Sequence, residues 1–316
     1  MPVIVETTEL AIDVKGLVKT FDHKPAVNGV DIQMPKGQVW GFLGPNGSGK
    51  TTTIRMICGL LKPTEGSGTC LGFDIQKQSG EIKGRTGYMT QKFSFWSDLT
   101  IRENMEFVGR LYQLPNLKRK VDETLENLGL QDRQKQLAGA LSGGWKQRMA
   151  LAALTMHEPE LLLLDEPTAG VDPQARRDFW DQIHHLTSSM GVTALVSTHY
   201  MDEAERCDKV VYLANGLKVT EGTVQQIING SGLITFRAEG EGVRKMAELI
   251  QDKPGIEHAA YFGSALHVSG KDRAQVAQAV ADVGNSNVVW EEVRTTLEDA
   301  FIALTERAGV DPRLLP

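Results

Sequence analysis

Residues 38–61 read QVWGFLGPNGSGKTTTIRMICGLL, and the order of textures in this stretch decides the fold. Gln38 to Leu43 is a β-rich apolar run and Thr51 to Leu61 carries apolar residues at helical spacing, so a strand empties through a glycine loop into a helix. The loop, Gly44-Pro45-Asn46-Gly47-Ser48-Gly49-Lys50-Thr51, fits the G-x-x-x-x-G-K-[ST] phosphate-binding pattern. Each residue type has a physical task there. Glycines let the backbone turn tightly and lay its N–H groups on phosphate oxygens, and the helix behind them points its positive end at the same anion. The pattern sets Lys50 to reach the β- and γ-phosphates of a nucleotide and the Thr51 hydroxyl to ligate Mg²⁺.

A second, independent signal lies downstream. The run LLLLDEP sets Asp165 and Glu166 at the end of a wholly apolar strand, where a carboxylate is costly unless a cation pairs with it. Asp165 is placed to hold Mg²⁺ through a water, and Glu166 to polarise the water that attacks the γ-phosphate. A further strand, Ala194 to Thr198, delivers His199 to the same edge of the sheet, where its ring can hydrogen-bond the γ-phosphate. Gly87 to Thr90 delivers Gln91, whose amide is placed to coordinate Mg²⁺ and the attacking water. Neither His199 nor Gln91 would mean much alone.

Leu141-Ser142-Gly143-Gly144-Trp145-Lys146-Gln147-Arg148 opens a helix running to Leu154, with Ser142 as N-cap and glycines that expose backbone donors. This is a second anion-binding helix start in one chain. One nucleotide needs only one such cradle, so the spare is best explained by use in trans: two copies, related as an isologous C₂ pair, each close the other's site.

The 316 residues are enough for one large domain and a smaller companion. A formal charge of −6 gives no electrostatic footprint for DNA or RNA, which needs a clustered basic face, so no nucleic-acid partner is expected. Cys58, Cys70 and Cys207 lack CxxC spacing and read as small buried residues in a reducing compartment. The start, MPVIVETTELAIDVKGL, carries acidic residues and strand-like alternation where a secretory signal needs a basic start and an apolar block. No stretch approaches the roughly 20 apolar residues of a membrane helix, so a soluble chain is expected.

Leu10 to Val18 and Val30 to Met34 read as strands, with Asn28-Gly29 between them as a turn signal. Ile101 to Leu130 alternates charged and apolar residues at helical intervals, broken by Leu114-Pro115-Asn116, and reads as an inserted helical lobe. Two buried strands, Leu161 to Leu164 and Thr193 to Ser197, flank a helix around Ala175 to Met190, which implies a buried parallel sheet covered by helices. Beyond Gly222 the pattern changes to β-α-β-β-α-β: strand-like Leu233 to Arg237, Ile256 to Phe262, Ala265 to Val268 and Val288 to Val293, with helices Val243 to Ile250 and Arg273 to Val283. That order predicts a small ferredoxin-like α/β domain. A last helix, Thr296 to Glu306, has Leu297, Phe301 and Leu304 on one stripe. The domain expectation is 1–228 and 229–316, with the helical lobe at about 92–155.

Taken in order, GPNGSGKTT, Gln91, LSGGW, LLLLDEP, the Thr168 to Asp172 turn and His199 resemble the nucleotide-binding subunit of an ABC transporter, over residues 10 to about 225. The resemblance implies an α/β P-loop NTPase domain of ABC type, with an antiparallel β layer, beside the ferredoxin-like domain. It implies ATP and Mg²⁺ as ligands, Gly44 to Thr52 as the Walker A contacts, Asp165 as the Walker B aspartate and Glu166 as the catalytic glutamate. Phe21 aligns with the aromatic that stacks on adenine, Ser142, Gly143 and Gly144 with the signature that reaches the partner's γ-phosphate, and Asp172 with the D-loop aspartate at the dimer interface. Trp145 departs from the family's commoner glutamine, and activity is expected to survive it. The tail, EVRTTLEDAFIALTERAG, is similar to the accessory domain of daunorubicin-resistance-like exporters, whose permeases are separate proteins. A homodimer beneath an integral-membrane permease, cytoplasmic and peripheral on the inner face of the cell membrane, is the implied setting. Phe93, Phe95 and Trp96, after Gln91, are the expected docking floor for the permease. A P-loop kinase would leave LSGG and His199 unexplained, and a tandem-cassette translation factor would need a second cassette.

Overall fold

The computed structural model describes residues 9–91, 95–283 and 288–307. The chain divides into two compact units, 1–218 and 219–316. The first opens with a hairpin, β1 (Leu10–Phe21) and β2 (Lys24–Pro35), then runs through the buried strand β3 (Val39–Leu43) into helix α1 (Lys50–Ile57). Strands β4 (Glu65–Cys70) and β5 (Phe73–Asp74) complete a four-stranded antiparallel layer of order β2-β1-β4-β5.

Helix α2 (Ser79–Arg85) leads to β6 (Thr86–Met89) and then to three lobe helices, α3 (Ile101–Leu111), α4 (Leu117–Leu128) and α5 (Gly143–Thr155). The chain returns through β7 (Leu161–Asp165), α6 (Pro173–Met190), β8 (Thr193–Thr198), the short α7 (Met201–Ala204), β9 (Lys209–Ala214) and β10 (Leu217–Gly222). These strands form a six-stranded sheet of order β10-β9-β3-β8-β7-β6. β3 lies parallel to both β8 and β9, and β7 lies parallel to both β6 and β8. Their runs, VWGFL, LLLLD and TALVST, are buried throughout, as continuous apolar strands covered on both faces must be. Register places Leu43 beside Thr198 and Asp165 beside Ser197, so the carboxyl ends of β3, β8 and β7 finish side by side.

One core joins the two layers of this unit: Val14, Leu17 and Ile32 of the antiparallel layer share it with Phe42, Ile54, Leu163 and Leu195. The lobe has its own core, in which Met105 and Val108 of α3 meet Val121 and Leu125 of α4 and Met149 of α5. Helix α3 starts on a capping box, with the Thr100 hydroxyl on the Glu103 amide and the Glu103 carboxylate on the Thr100 amide.

The hairpin departs from the sequence expectation. The turn is Asp22-His23, with φ of 45° and 65°, and Asn28-Gly29 lies within β2. Leu17 pairs with Val30 and Val18 with Asn28, so Gly29, at φ 79°, is the extra residue of a bulge. Asn-Gly and a two-residue hairpin turn both exploit positive φ, and the strand pairing decides which site gets the turn.

In the second unit, α8 (Val224–Ser231) is followed by β11 (Ile234–Gly240), α9 (Val243–Ile250), β12 (His258–Phe262), β13 (Ala265–Gly270), α10 (Arg273–Val283), β14 (Val288–Val293) and α11 (Leu297–Arg307). The sheet order is β12-β13-β11-β14 with antiparallel neighbours. Helix α11 packs on α8 and β12, which draws α8 into this unit and puts the division before the expected boundary at 228/229. Its buried stripe is Leu297, Ala300, Phe301 and Ala303, with Leu304 only half-buried.

Asp299, fully buried on α11, accepts from Thr296 and stands 3.1 Å from Nδ1 of His267 and 3.7 Å from Nε2 of His258. Burial pushes its carboxyl upward, but the nearby His258 and His267 rings and the bonds from Thr296 outweigh this and hold it well below the usual carboxylate range. A depressed folded-state value means the stabilisation is fully present above about pH 4 and lost as pH falls through the folded-state value. Asp299→Asn is therefore expected to cost about 1–3 kcal/mol in urea unfolding at neutral pH, with the gap to wild type narrowing in acid.

Candidate functional site

Two glycines of the phosphate loop are required by close approach. A Cβ on Gly44 would stand 2.1 Å from the Leu213 carbonyl oxygen, at the end of β9. A Cβ on Gly49, where φ is 100°, would stand 2.6 Å from the Ala26 carbonyl oxygen of β2. The loop is thus wedged between the parallel sheet and the hairpin, and only backbone fits at those points. Lys50 opens α1 with its side chain 4% exposed, donating to the carbonyls of Gly44 at 2.7 Å and Pro45 at 3.2 Å. Burial lowers the pKa of its ammonium, an effect opposed chiefly by Glu166, whose Oε1 is 3.5 Å away.

The carboxylate pair is held from three elements. Asp165, 2% exposed at the end of β7, accepts at Oδ1 from the Thr51 hydroxyl (2.9 Å) and the Ser197 hydroxyl (2.7 Å). The same Ser197 oxygen accepts from the Glu166 amide at 2.9 Å. Glu166 has φ of 46°, a left-handed conformation that costs a non-glycine residue energy and is held here by its surroundings. Its Oε2 accepts from the Gln91 amide at 2.8 Å and lies 3.5 Å from Nδ1 of His199. Lys50, Thr51, Gln91, Asp165, Glu166 and His199, far apart in sequence, therefore meet at the carboxyl edge of one sheet. Sequence reading missed Ser197, although a serine in the buried run TALVST was a signal: its hydroxyl needs a partner.

The remaining expected residues form other groups. Ser142, exposed at the start of α5, makes no side-chain capping bond, and Gly143 beside it is exposed. Gly144 is buried because α5 and α6 meet there: a Cβ would lie 2.5 Å from that of Ala175. Asp172 caps α6 through its Oδ1 on the Ala175 amide, 3.0 Å. Trp145 turns toward the lobe, packing on its core, with the guanidinium of Arg148 at 4.6 Å and that of Arg133 at 5.7 Å from the ring. Phe21 is 47% exposed at the end of β1. Of the aromatic cluster, Phe93 lies outside the described residues and Phe95 is half-buried, packing against the lobe core. Trp96 is exposed and meets the exposed Phe107 edge-on at 4.3 Å.

The residues fit a bound nucleotide. Ser48 Oγ in the loop and Nδ1 of His199 are buried without a hydrogen-bond partner. The oxygens of Thr51 and Asp165, with the Gln91 amide nearby, are hard donors suited to Mg²⁺.

A phosphate loop between a buried parallel strand and a helix, facing a buried acid pair on the next strand but one, defines a P-loop nucleotide-binding protein. The profile of the ABC transporter family matches residues 27–169. The probable multidrug ABC transporter ATP-binding protein YbhF of Escherichia coli is 42% identical over 217 residues, which is 68% of this chain but 37% of that protein. The daunorubicin/doxorubicin resistance ATP-binding protein DrrA of Streptomyces peucetius is 34% identical over 314 residues, covering 95% of this chain and 94% of its own. Among solved structures, the dimeric post-hydrolysis state of the ATP-binding cassette MJ0796, bound to ADP and Pi, superposes with a TM-score of 0.62 at 25% identity, over 67% of this chain and 98% of that one. The chain belongs to the ATP-binding proteins of the ABC transporter family. The kinase and translation-factor alternatives are not favoured. No helix among the described residues is long and apolar enough to cross a membrane.

Ser197→Ala removes the oxygen shared by Asp165 and the Glu166 amide. It is expected to lower stability by about 1–3 kcal/mol, measured by urea unfolding, because a buried carboxylate loses a donor.

Proposed function

We propose that the protein hydrolyses ATP as one of two identical copies and so drives export through a separately encoded membrane permease. One observation carries the reading: Glu166 sits between Lys50, Gln91 and His199, beside an Asp165 bonded to Thr51. That is the set needed to hold a γ-phosphate and an attacking water in line.

In this mechanism the loop amides from Gly44 to Gly49, with Ser48, cradle the phosphates, Thr52 adds to the first turn of α1, and Lys50 moves from its carbonyl contacts onto the β- and γ-oxygens. Thr51, Asp165 and Gln91 would hold Mg²⁺, which would supply neutralisation of the phosphate charge. Glu166 accepts a proton from the attacking water, with Gln91 fixing its carboxylate. His199 donates to the γ-phosphate. Phe21 offers an exposed ring for adenine. The exposed Ser142 and Gly143, with Gly144, serve the γ-phosphate held by the other copy, and Asp172 lies at the contact between copies. Preorganised donors of this kind stabilise charge that develops in the transition state.

Family membership and the near full-length likeness to a drug-resistance ATP-binding protein support the exporter setting, peripheral on the cytoplasmic face of the cell membrane. Trp96 and Phe107 together offer an exposed apolar surface for the permease. We assign the first unit to ATP binding and the second to an accessory ferredoxin-like domain, on the strand order of the second unit.

Glu166→Gln is expected to keep ATP affinity while turnover falls by about 10²-fold or more, and to trap a dimer with Mg-ATP, read by light scattering behind size exclusion. Wild-type turnover in that variant would dismiss Glu166 as the base.

A further inference from the structure

The first unit also buries Glu203, which none of the proposed chemistry uses. It lies on α7, is 1% exposed, and its carboxylate is held by three side chains from three other segments. The Thr168 hydroxyl donates to Oε1 and the Thr198 hydroxyl donates to Oε2 at 2.6 Å. Nε of Arg176 stands 3.6 Å from Oε1. An unpaired carboxylate there would be costly, so these contacts are obligatory and fix all three segments against one point.

Each segment also carries a residue of the proposed reaction. Thr168 lies on the loop that begins at Glu166 and ends at Asp172. Arg176 is in the first turn of α6, and its amide donates to the Asp172 carbonyl at 3.0 Å. Thr198 precedes His199, and its hydroxyl oxygen also accepts the Tyr200 amide at 3.0 Å, which sets the turn through His199. The Tyr200 ring lies 4.1 Å from the His199 ring, and the Arg176 guanidinium lies 4.0 Å from the Tyr200 ring. The His199 ring is placed by this packing and turn together with the Glu166 carboxylate, whose Oε2 stands 3.5 Å from Nδ1.

We infer that Glu203 is a positioning residue that locks the strand end carrying His199 to the loop carrying Glu166 and Asp172, so that these groups present to the γ-phosphate as one unit. This rests on the ATPase reading above. Glu203 bonds to no residue of the phosphate loop in this network, so its loss acts on turnover and leaves ATP affinity alone.

The test is steady-state ATPase activity, with ATP affinity and melting temperature, on the full chain carrying Glu203→Gln, Thr198→Val, or both. The amide keeps the shape of the side chain but has one oxygen for the two hydroxyls and no charge for Arg176. Glu203→Gln is expected to lower kcat about tenfold or more with KM for ATP close to wild type, and to lower the melting temperature while leaving the chain folded at assay temperature. Thr198→Val gives a similar loss, and the double variant is no slower than the slower single one, because both changes cut the same link. Wild-type turnover in Glu203→Gln, losses that multiply in the double variant, or a KM that rises in step with the fall in kcat would overturn the inference. If Glu203→Gln does not fold, Thr198→Val decides, and normal turnover in it overturns the inference. A wild-type chain without ATPase activity removes the proposed function itself, which is a different failure and is read first.

Discussion

A carboxylate that is 2% exposed must be met by donors, and the way Asp165 is met organises the nucleotide-binding unit. Its two donors come from different elements, Thr51 from the first turn of α1 and Ser197 from β8. Satisfying both requires β7 and β8 to run parallel in the observed register, with Asp165 opposite Ser197, and requires α1 to begin above that edge. The phosphate loop then falls where β3 ends, because β3 is the strand on the other side of β8. One buried acid therefore links sheet register to loop position, and the backbone at Glu166, held in a left-handed turn by the Ser197 oxygen, aims the second acid at Gln91 and His199.

The antiparallel layer has a related role from the opposite side. Its bulged strand β2 brings the Ala26 carbonyl against Gly49, and its Asn28 amide donates to the Gly216 carbonyl at 2.8 Å. The loop is thus gripped between layers that share one core, so packing far from the phosphates sets how rigid the cradle is. Rigidity of this kind is what lets oriented backbone dipoles act without reorganising during reaction.

What could be read before the structure, and what could not, divides along the range of the interactions. The strand-loop-helix at 38–61 and the acid pair at 165–166 were legible because their meaning is local: glycines permit a turn, and an apolar run ending in carboxylates needs a cation. The β-α-β-β-α-β pattern of the second unit was legible from alternating periodicity alone. Asn28-Gly29 misled because a turn dipeptide and a bulge dipeptide use the same dihedral freedom, and only the strand pairing, which closes at Phe21 and Lys24 around Asp22-His23, separates them. Ser197 and Glu203 were missed for another reason. A hydroxyl in a buried strand signals that a partner is needed but not which one, and the partners Asp165 and Thr168 lie 32 and 35 residues away.

The account depends most on the claim that a working site is built from two copies, one lending its phosphate loop and the other its exposed Ser142 helix start. Mixing equal amounts of a Lys50→Ala chain and a Ser142→Arg chain, each inactive by itself, tests it most directly through ATP turnover. In a mixed pair one site carries both defects and the other neither, so the account predicts recovery to about a quarter of wild-type turnover per protein from random pairing. A mixture as inactive as its two components would contradict it.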